Sequence, residues 1–185
     1  MTVGAEPLRV LWLAAPVIVA ALVHIAVIRL RLLPGLVVPL DGGADWRGAR
    51  VLGDNKTWRG ALVMTLVSTA AAPLQGALRL PALEYFDYGR ANLALVGFLL
   101  GLGFVLGELP NSFLKRRLGV APGGRGSAAF VVLDQVDSIV AALALLALVW
   151  PPPLAVWVWV LVLCSGVHMA LNALFVVLGL KERVF

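Results

Sequence analysis

Three short stretches concentrate the side chains that can do chemistry on phosphates. The first, VLGDNKTWRG from Val51 to Gly60, sets Gly53, Asp54, Asn55, Lys56, Thr57 and Arg59 almost side by side. Gly53 lets the backbone approach an anion, Lys56 and Arg59 bring positive charge, and Thr57 or Asp54 can cap a following helix, whose N-terminus itself attracts phosphate. A P-loop is the obvious comparison, and the spacing fails it. Gly48 and Gly53 are five apart as that motif needs, yet Asp54 and Asn55 stand where lysine belongs, and an all-helical chain offers no preceding strand. Helix capping and snorkelling account for any one of these residues taken singly.

The second stretch is GELPNSFLKRRLGV, Gly107 to Val120. Retention of basic loops in the cytoplasm explains Lys115, Arg116 and Arg117. It does not explain Glu108, Asn111 and Ser112. If helix runs on past Pro110, these polar residues share a face with Lys115; if Pro110 breaks it, the stretch becomes a re-entrant turn lining a cavity. The third stretch, LDQVDSIV, carries Asp134 and Asp137 at i and i+3 on one helical face. Two carboxylates there repel each other and are costly near hydrocarbon unless something cationic offsets them. Mg²⁺ suits the task, because it accepts one or two carboxylates, keeps waters and bridges to phosphates; salt bridges to nearby arginines are the alternative.

Weaker signals lie elsewhere. His168 and Asn172, at i and i+4, share a face and with Lys181 can line the same cavity, although hydrogen bonding between helices explains the pair as well. His24, Ser68, Thr69 and Asn92 read as packing or capping residues. Gly97, Gly101, Gly103 and Gly107 read as small residues for close helix approach, with no strand and turn around them to make a nucleotide fingerprint.

The elements that must hold these residues follow from composition. Of 185 residues, 61% are hydrophobic and 14% charged, and the mean hydropathy is +0.96. Soluble domains are about 45–50% apolar and about 25% charged, so this chain belongs in a bilayer. Five apolar segments are long enough to cross it: Leu8 to Ile28, Gly60 to Leu80, Ala91 to Leu109, Phe130 to Val149 and Leu154 to Leu178. The expectation is an all-α integral membrane protein, residues 1–185 forming a single membrane-embedded domain. The first segment is too long, and too basic at Arg29 and Arg31, for a cleaved leader. Cys164 is the single cysteine and lies in the last segment, which excludes an internal disulfide and a thiolate metal cluster.

Charge is distributed unevenly across the segments. Arg29, Arg31, Arg47, Arg50, Lys56, Arg59, Lys115, Arg116, Arg117, Arg125, Lys181 and Arg183 fall on one side, leaving Arg9, Arg79 and Arg90 on the other. Basic loops stay in the cytoplasm, so the N-terminus is expected outside and the C-terminus inside. Seven of the ten acids, Asp41, Asp45, Asp54, Glu108, Asp134, Asp137 and Glu182, share the basic side. A topogenic signal alone is basic only; mixed charge points to a charged pocket at the cytoplasmic face where metal cations and phosphates meet.

In these three stretches the chain resembles the CDP-archaeol synthase family, membrane cytidylyltransferases distantly related to the CDP-diacylglycerol synthases. LGDNKTWRG, GELPNSFLKRRLGV and LDQVDS stand in that family's order and at its spacing, and the likeness covers most of the chain from Val51 onward. It implies that CTP and a lipid phosphate give a CDP-activated lipid and pyrophosphate, with Mg²⁺ required, at the cytoplasmic membrane. In archaeal members the lipid is an unsaturated digeranylgeranylglyceryl phosphate; phosphatidate is the alternative. On this reading Asp134 and Asp137 hold Mg²⁺, while Lys56, Lys115 and Arg116 neutralise the two phosphate groups. Asp54, Glu108, Asn111 and Ser112 complete metal or nucleotide binding, with Gly53, Asn55, Thr57, Arg59, Arg117, His168 and Asn172 also on the substrates. CTP, a membrane lipid phosphate and the bilayer are the expected partners, with no nucleic acid among them, and the sequence specifies no oligomeric state. Of the rival classes, CDP-alcohol phosphotransferases need a longer aspartate pattern than DQVDSIVAAL provides. An anionic-lipid transporter calls for internal repeats and charges near mid-membrane, whereas here the charges collect at one rim.

Overall fold

The computed structural model describes residues 6–122, 124 and 126–179. Five helices are long and apolar enough to cross a membrane: α1 (Glu6–Arg29), α2 (Trp58–Ala77), α3 (Leu93–Arg117), α4 (Ala128–Leu146) and α5 (Leu154–Val177). At about 1.5 Å of rise per residue they reach from about 28 Å to about 37 Å, enough for a hydrocarbon core of about 30 Å with modest tilt. All five expected segments are present, with ends moved by a few residues except in α3. That helix does not stop at Leu109 but passes through Pro110 to Arg117.

The expectation that no strand precedes Gly53 is corrected. A hairpin of two short strands, β1 (Asp45–Trp46) and β2 (Ala49–Arg50), pairs Asp45 with Arg50 and Trp46 with Ala49. Its turn residues Arg47 and Gly48 have φ of 53° and 77°, the two positive values that a two-residue hairpin turn of type I′ requires. Periodicity over two-residue strands is too short to read from sequence. The rest of this loop is strapped to itself, Leu40 N–H donating to the Lys56 carbonyl (2.7 Å) and Trp58 N–H to the Val38 carbonyl (2.9 Å).

α3 is the central element, packed on α2 along one side and on α4 along the other, with α1 touching it and α5 resting on α1 and α4. Two glycine pairs make this possible. A Cβ at Gly97 would stand 2.2 Å from the Ser68 carbonyl oxygen, and one at Gly101 2.8 Å from that of Met64, so α2 and α3 meet backbone to backbone. A Cβ at Gly103 would come within 2.6 Å of Ala142 Cα, and one at Gly107 within 2.5 Å of the Asp137 carbonyl oxygen. Gly101 and Gly103 are two residues apart, about 200° around the helix, so the pairs serve opposite faces. Membrane helices associate by close packing of this kind, since lipid tails give no hydrophobic gain for burying leucine.

Pro16 in α1 shows how a broken ladder is repaired. Its missing N–H leaves the Trp12 carbonyl without an intrahelical donor, and Gln75 Nε2 of α2 donates to that oxygen instead. Val10, Leu13, Val96, Leu100, Leu143 and Leu146 form the buried heart of the bundle. At the end remote from the three polar stretches, the Arg9 guanidinium lies over Tyr85 at 4.2 Å. It also donates to Glu6 (3.1 Å) and to the Glu84 carbonyl (2.6 Å). Tyr85 stacks in turn on Trp150.

Gly107→Ala is expected to wedge α3 away from α4 and cost about 1–3 kcal/mol of stability. The lost close approach should also lower the thermal midpoint of the detergent-solubilised protein, whereas alanine at the exposed Gly166, which meets nothing within 4 Å, should leave that midpoint unchanged.

Candidate active site

Asp41, a residue the sequence offered only as one acid among many, organises the first loop. Its side chain is 3% exposed. Oδ1 accepts from Gly43 N–H (3.0 Å) and Arg50 Nη2 (2.9 Å), and Oδ2 accepts from Leu52 N–H (2.8 Å) and Gly53 N–H (3.4 Å). Burial pushes this carboxyl up, but the Leu52 and Gly43 amides, the Arg50 guanidinium and the Gly53 amide outweigh it and bring the pKa to about 2. Gly53 itself has φ of +105°, and a Cβ there would meet Arg116 Nη1 and Pro122 Cγ at 3.1 Å. Both the conformation and the space call for glycine. Beyond it, Asp54 accepts from Arg50 (2.5 Å) at the surface, Asn55 is exposed, and the Thr57 hydroxyl caps α2 by accepting from Gly60 N–H (3.3 Å).

From this loop Lys56 reaches across to α3 and pairs with Glu108. One turn further along α3, Asn111 Nδ2 donates to Asp134 Oδ1 (2.7 Å) and to Asp137 Oδ2 (3.0 Å), so both carboxylates of α4 converge on one atom. Lys115, a turn beyond, donates to both oxygens of Asp134 (2.7 and 2.5 Å). The other Asp137 oxygen accepts from Ser138 N–H (2.6 Å). Helix through Pro110 is what aligns Glu108, Asn111 and Lys115, one of the two readings that the sequence left open. Ser112 follows Asn111, half-buried.

The donor set around Asn111 suits a hard divalent cation. Two carboxylates lie close enough together to share the Asn111 N–H₂ group, and Asn111 Oδ1 is buried with no partner among the described residues. Oxygen ligands of this kind are what Mg²⁺ takes, with its remaining positions left to water and phosphate.

Arg116 and Arg117 are used differently from each other. Arg116 is buried against the first loop and donates to the Ala121 carbonyl (2.8 Å). Arg117, expected among the substrate-binding residues, is engaged by the hairpin. It donates to the carbonyls of Ala49 (2.7 Å), Arg50 (2.5 Å) and Trp46, and its guanidinium lies 5.2 Å from the rings of both Trp46 and Phe113. A fork of donors fits several carbonyls at once, so this cation ties loop to helix.

A cavity of about 460 Å³ opens beside Lys56 and Glu108 and extends between α1, α3, α4 and α5. Its inner wall is apolar, with Leu13, Val17, Leu100, Leu143 and Val160 among the lining residues, and its polar groups are His24, Asp54 to Thr57, Arg59, Glu108 and His168. His24, expected to be a packing residue, lines this cavity. It lies on the face of α1 that carries Leu13, Val17, Ala21 and Ile28 into the cavity wall, a face whose other residues are all apolar. Ser68, Thr69 and Asn92 keep structural roles: Ser68 and Thr69 donate to backbone carbonyls, and Asn92 caps α3. The side chain of Asn172 and all of Lys181 lie outside the described residues.

Comparison with known proteins gives one answer. A family model described as CarS-like CDP-archaeol synthase matches residues 7–185. A CDP-archaeol synthase of Halorubrum lacusprofundi is 41% identical over 152 residues, covering 78% of this chain and 82% of that one. One from Halobacterium salinarum is 39% identical over 156 residues with the same coverage. A solved structure of an intramembrane enzyme for archaeal membrane lipids biosynthesis superposes with a TM-score of 0.65 at 30% identity, covering 88% of this chain and 92% of its own.

Asp41→Asn replaces an acceptor of four donors with a group that turns its own N–H₂ toward them, and a loss of about 1–3 kcal/mol is expected. Because the folded pKa lies below the ordinary aspartate value of about 3.9, the carboxylate's contribution is complete above that value and lost as pH falls toward about 2. Pepsin cleavage of the first loop should therefore rise between pH 4 and 2 in the wild-type protein. The Asn variant should be cut equally across that range.

Proposed function

The chain belongs to the CDP-archaeol synthase family, and we propose that the cluster joining α3, α4 and the first loop is where it transfers CMP from CTP to an archaeal-type lipid phosphate. The reaction joins a phosphate oxygen of the lipid to the α-phosphorus of CTP. The bond from that phosphorus to the β-phosphate oxygen breaks, and pyrophosphate leaves. No side-chain nucleophile is required. What the protein must supply is proximity and charge neutralisation for two anions that repel each other.

The observation that carries this reading is the convergence of Asp134 and Asp137 on Asn111, with Lys115 bound to Asp134, next to a cavity whose walls are apolar. Asp134 and Asp137 would hold Mg²⁺, and Asn111 supports them. Bound there, Mg²⁺ supplies the neutralising charge that lets a triphosphate lose pyrophosphate. Lys115 orients Asp134 and offers its ammonium to the nucleotide phosphates. Lys56 and Arg116 add positive charge from the first loop and from α3, Arg116 lying directly under Gly53. Asp54, Asn55 and the Gly53 backbone border the approach of the water-borne nucleotide, and Ser112 lies beside Asn111. Arg117 acts by holding the hairpin in place. Apolar walls receive lipid tails, and the whole chain acts as one membrane-embedded domain, since helices from both halves share one core.

Among the described residues, Arg29 ends α1, Arg59 lies in the first turn of α2, Lys115, Arg116 and Arg117 end α3 and Asp134 lies near the start of α4, a pattern that supports a site facing the cytoplasm with the N-terminus outside. This arrangement also favours catalysis over transport, because a transport pathway needs charged groups along its length.

Asp134→Asn and Asp137→Asn are each expected to reduce turnover by more than about 100-fold, with thermal midpoints in detergent close to wild type. Pyrophosphate release from CTP and digeranylgeranylglyceryl phosphate measures it. Chelation with EDTA should abolish release, and added Mg²⁺ should restore it. Near-normal release by either variant would remove the carboxylates from the metal site.

A further inference from the structure

The polar residues around α3 form two groups, and only one of them opens into the cavity. His24, Lys56, Arg59, Glu108 and His168 line it; Asn111, Lys115, Asp134 and Asp137 do not. Glu108 and Asn111 are three residues apart on α3, about 4.5 Å along its axis, so the groups adjoin without merging. Each also has its own chemistry. The α3–α4 group gathers carboxylates around an amide, as a metal–nucleotide site does. The cavity group combines two cations, Lys56 and Arg59, with two imidazoles and two carboxylates: Asp54, which is turned to Arg50 at the surface, and Glu108, within electrostatic reach of Lys56, His168 and His24.

A cavity with apolar walls and a polar end rich in N–H donors fits an amphiphile whose head is an anion. His24 comes from α1, Lys56 and Arg59 from the start of α2, and His168 from α5, so four donors from three parts of the fold face one space. Two of them have capacity to spare: His168 Nδ1 and Arg59 Nε are buried with no hydrogen-bond partner among the described residues. Gly60 makes room for His24, since a Cβ there would lie 3.3 Å from His24 Cε1 and 3.4 Å from Nε2. Glu108, meanwhile, holds the Lys56 ammonium that an incoming phosphate would need.

We propose that His24, with His168, Lys56 and Arg59, binds the phosphate of the lipid substrate, and that Glu108 occupies Lys56 until that phosphate displaces it. The assignment rests on the cytidylyl-transfer reading and divides its site: the nucleotide lies on the α3–α4 side, the lipid phosphate on the α1–α2–α5 side. The two meet at the turn of α3 between Glu108 and Asn111. The lipid phosphate enters from the membrane with its tails already in the cavity, and the imidazoles orient its oxygen toward the nucleotide without competing for the metal.

Two measurements test this. In steady-state pyrophosphate release, His24→Gln and His168→Gln should each raise KM for the lipid phosphate by about tenfold, the worth of one hydrogen bond to a charged group, with KM for CTP unchanged. Glu108→Gln should lower KM for the lipid phosphate, whatever it does to kcat. Independently of turnover, hexadecyl phosphate should raise the thermal midpoint of the wild-type protein in detergent more than hexadecanol does, and His24→Gln should erase the difference. If the histidine variants raise KM for CTP instead, or hexadecyl phosphate stabilises no better than the alcohol, the assignment is wrong. If the wild-type protein binds hexadecyl phosphate through His24 yet releases no pyrophosphate from CTP, the cytidylyl-transfer reading fails and the phosphate site stands.

Discussion

The contact on which the rest depends is the approach of two backbones, α3 and α4, at Gly103 and Gly107. Asn111 has a short side chain, and it reaches both Asp134 and Asp137 only because nothing larger than hydrogen separates Gly107 from the Asp137 carbonyl. In water such a contact would be one of many; in a bilayer, close packing and polar contacts between helices are the main source of association. The glycines that build the bundle therefore also fix the spacing of its carboxylates. A second glycine pair on the opposite face of α3 holds α2, and with it the start of the first loop, so one helix sets the position of both halves of the site.

Charge is balanced locally across this framework. Lys56 meets Glu108, Lys115 meets Asp134, and Arg50 meets Asp41 and Asp54. Asp41, Asp54, Glu108 and Asp134 thus each have a nearby cation, which lowers the cost of holding carboxylates at the edge of hydrocarbon, while Asp137 is held by the Asn111 amide and the Ser138 N–H. The pairs also keep the lysines oriented, so that an arriving phosphate exchanges one anion for another instead of desolvating a bare ammonium.

Much of this was legible beforehand. Apolar runs announced five spans, and the three polar stretches meet through Lys56 with Glu108 and through Asn111 and Lys115 with Asp134. The i, i+3 spacing of Asp134 and Asp137 announced a shared face, and the four glycines announced close approach. Pro110 was ambiguous, because proline removes one hydrogen bond and leaves the surroundings to determine whether a helix continues. The contacts of Arg117 were not legible, since a cation beside a polar motif looks the same in sequence whether a phosphate or three backbone carbonyls take its donors. His24 and Asp41 gave no clear local signal, because Asp41 takes its partners from the loop folded over it and the face of α1 that carries His24 is lined by a cavity only once the other helices surround it.

The sequence by itself determined membrane residence, the number of spans, the side on which charge collects and which residues share a face within each helix. All of these follow from hydropathy and from the fixed 3.6-residue turn, which are properties of a segment alone. Only the tertiary structure decided which acid each cation meets, that α3 divides the polar groups into a carboxylate cluster and a cavity mouth, and that a histidine from α1 joins the latter. Those outcomes depend on how each helix is rotated and how closely it approaches its neighbours. Packing between segments sets both, and no period within a segment records it.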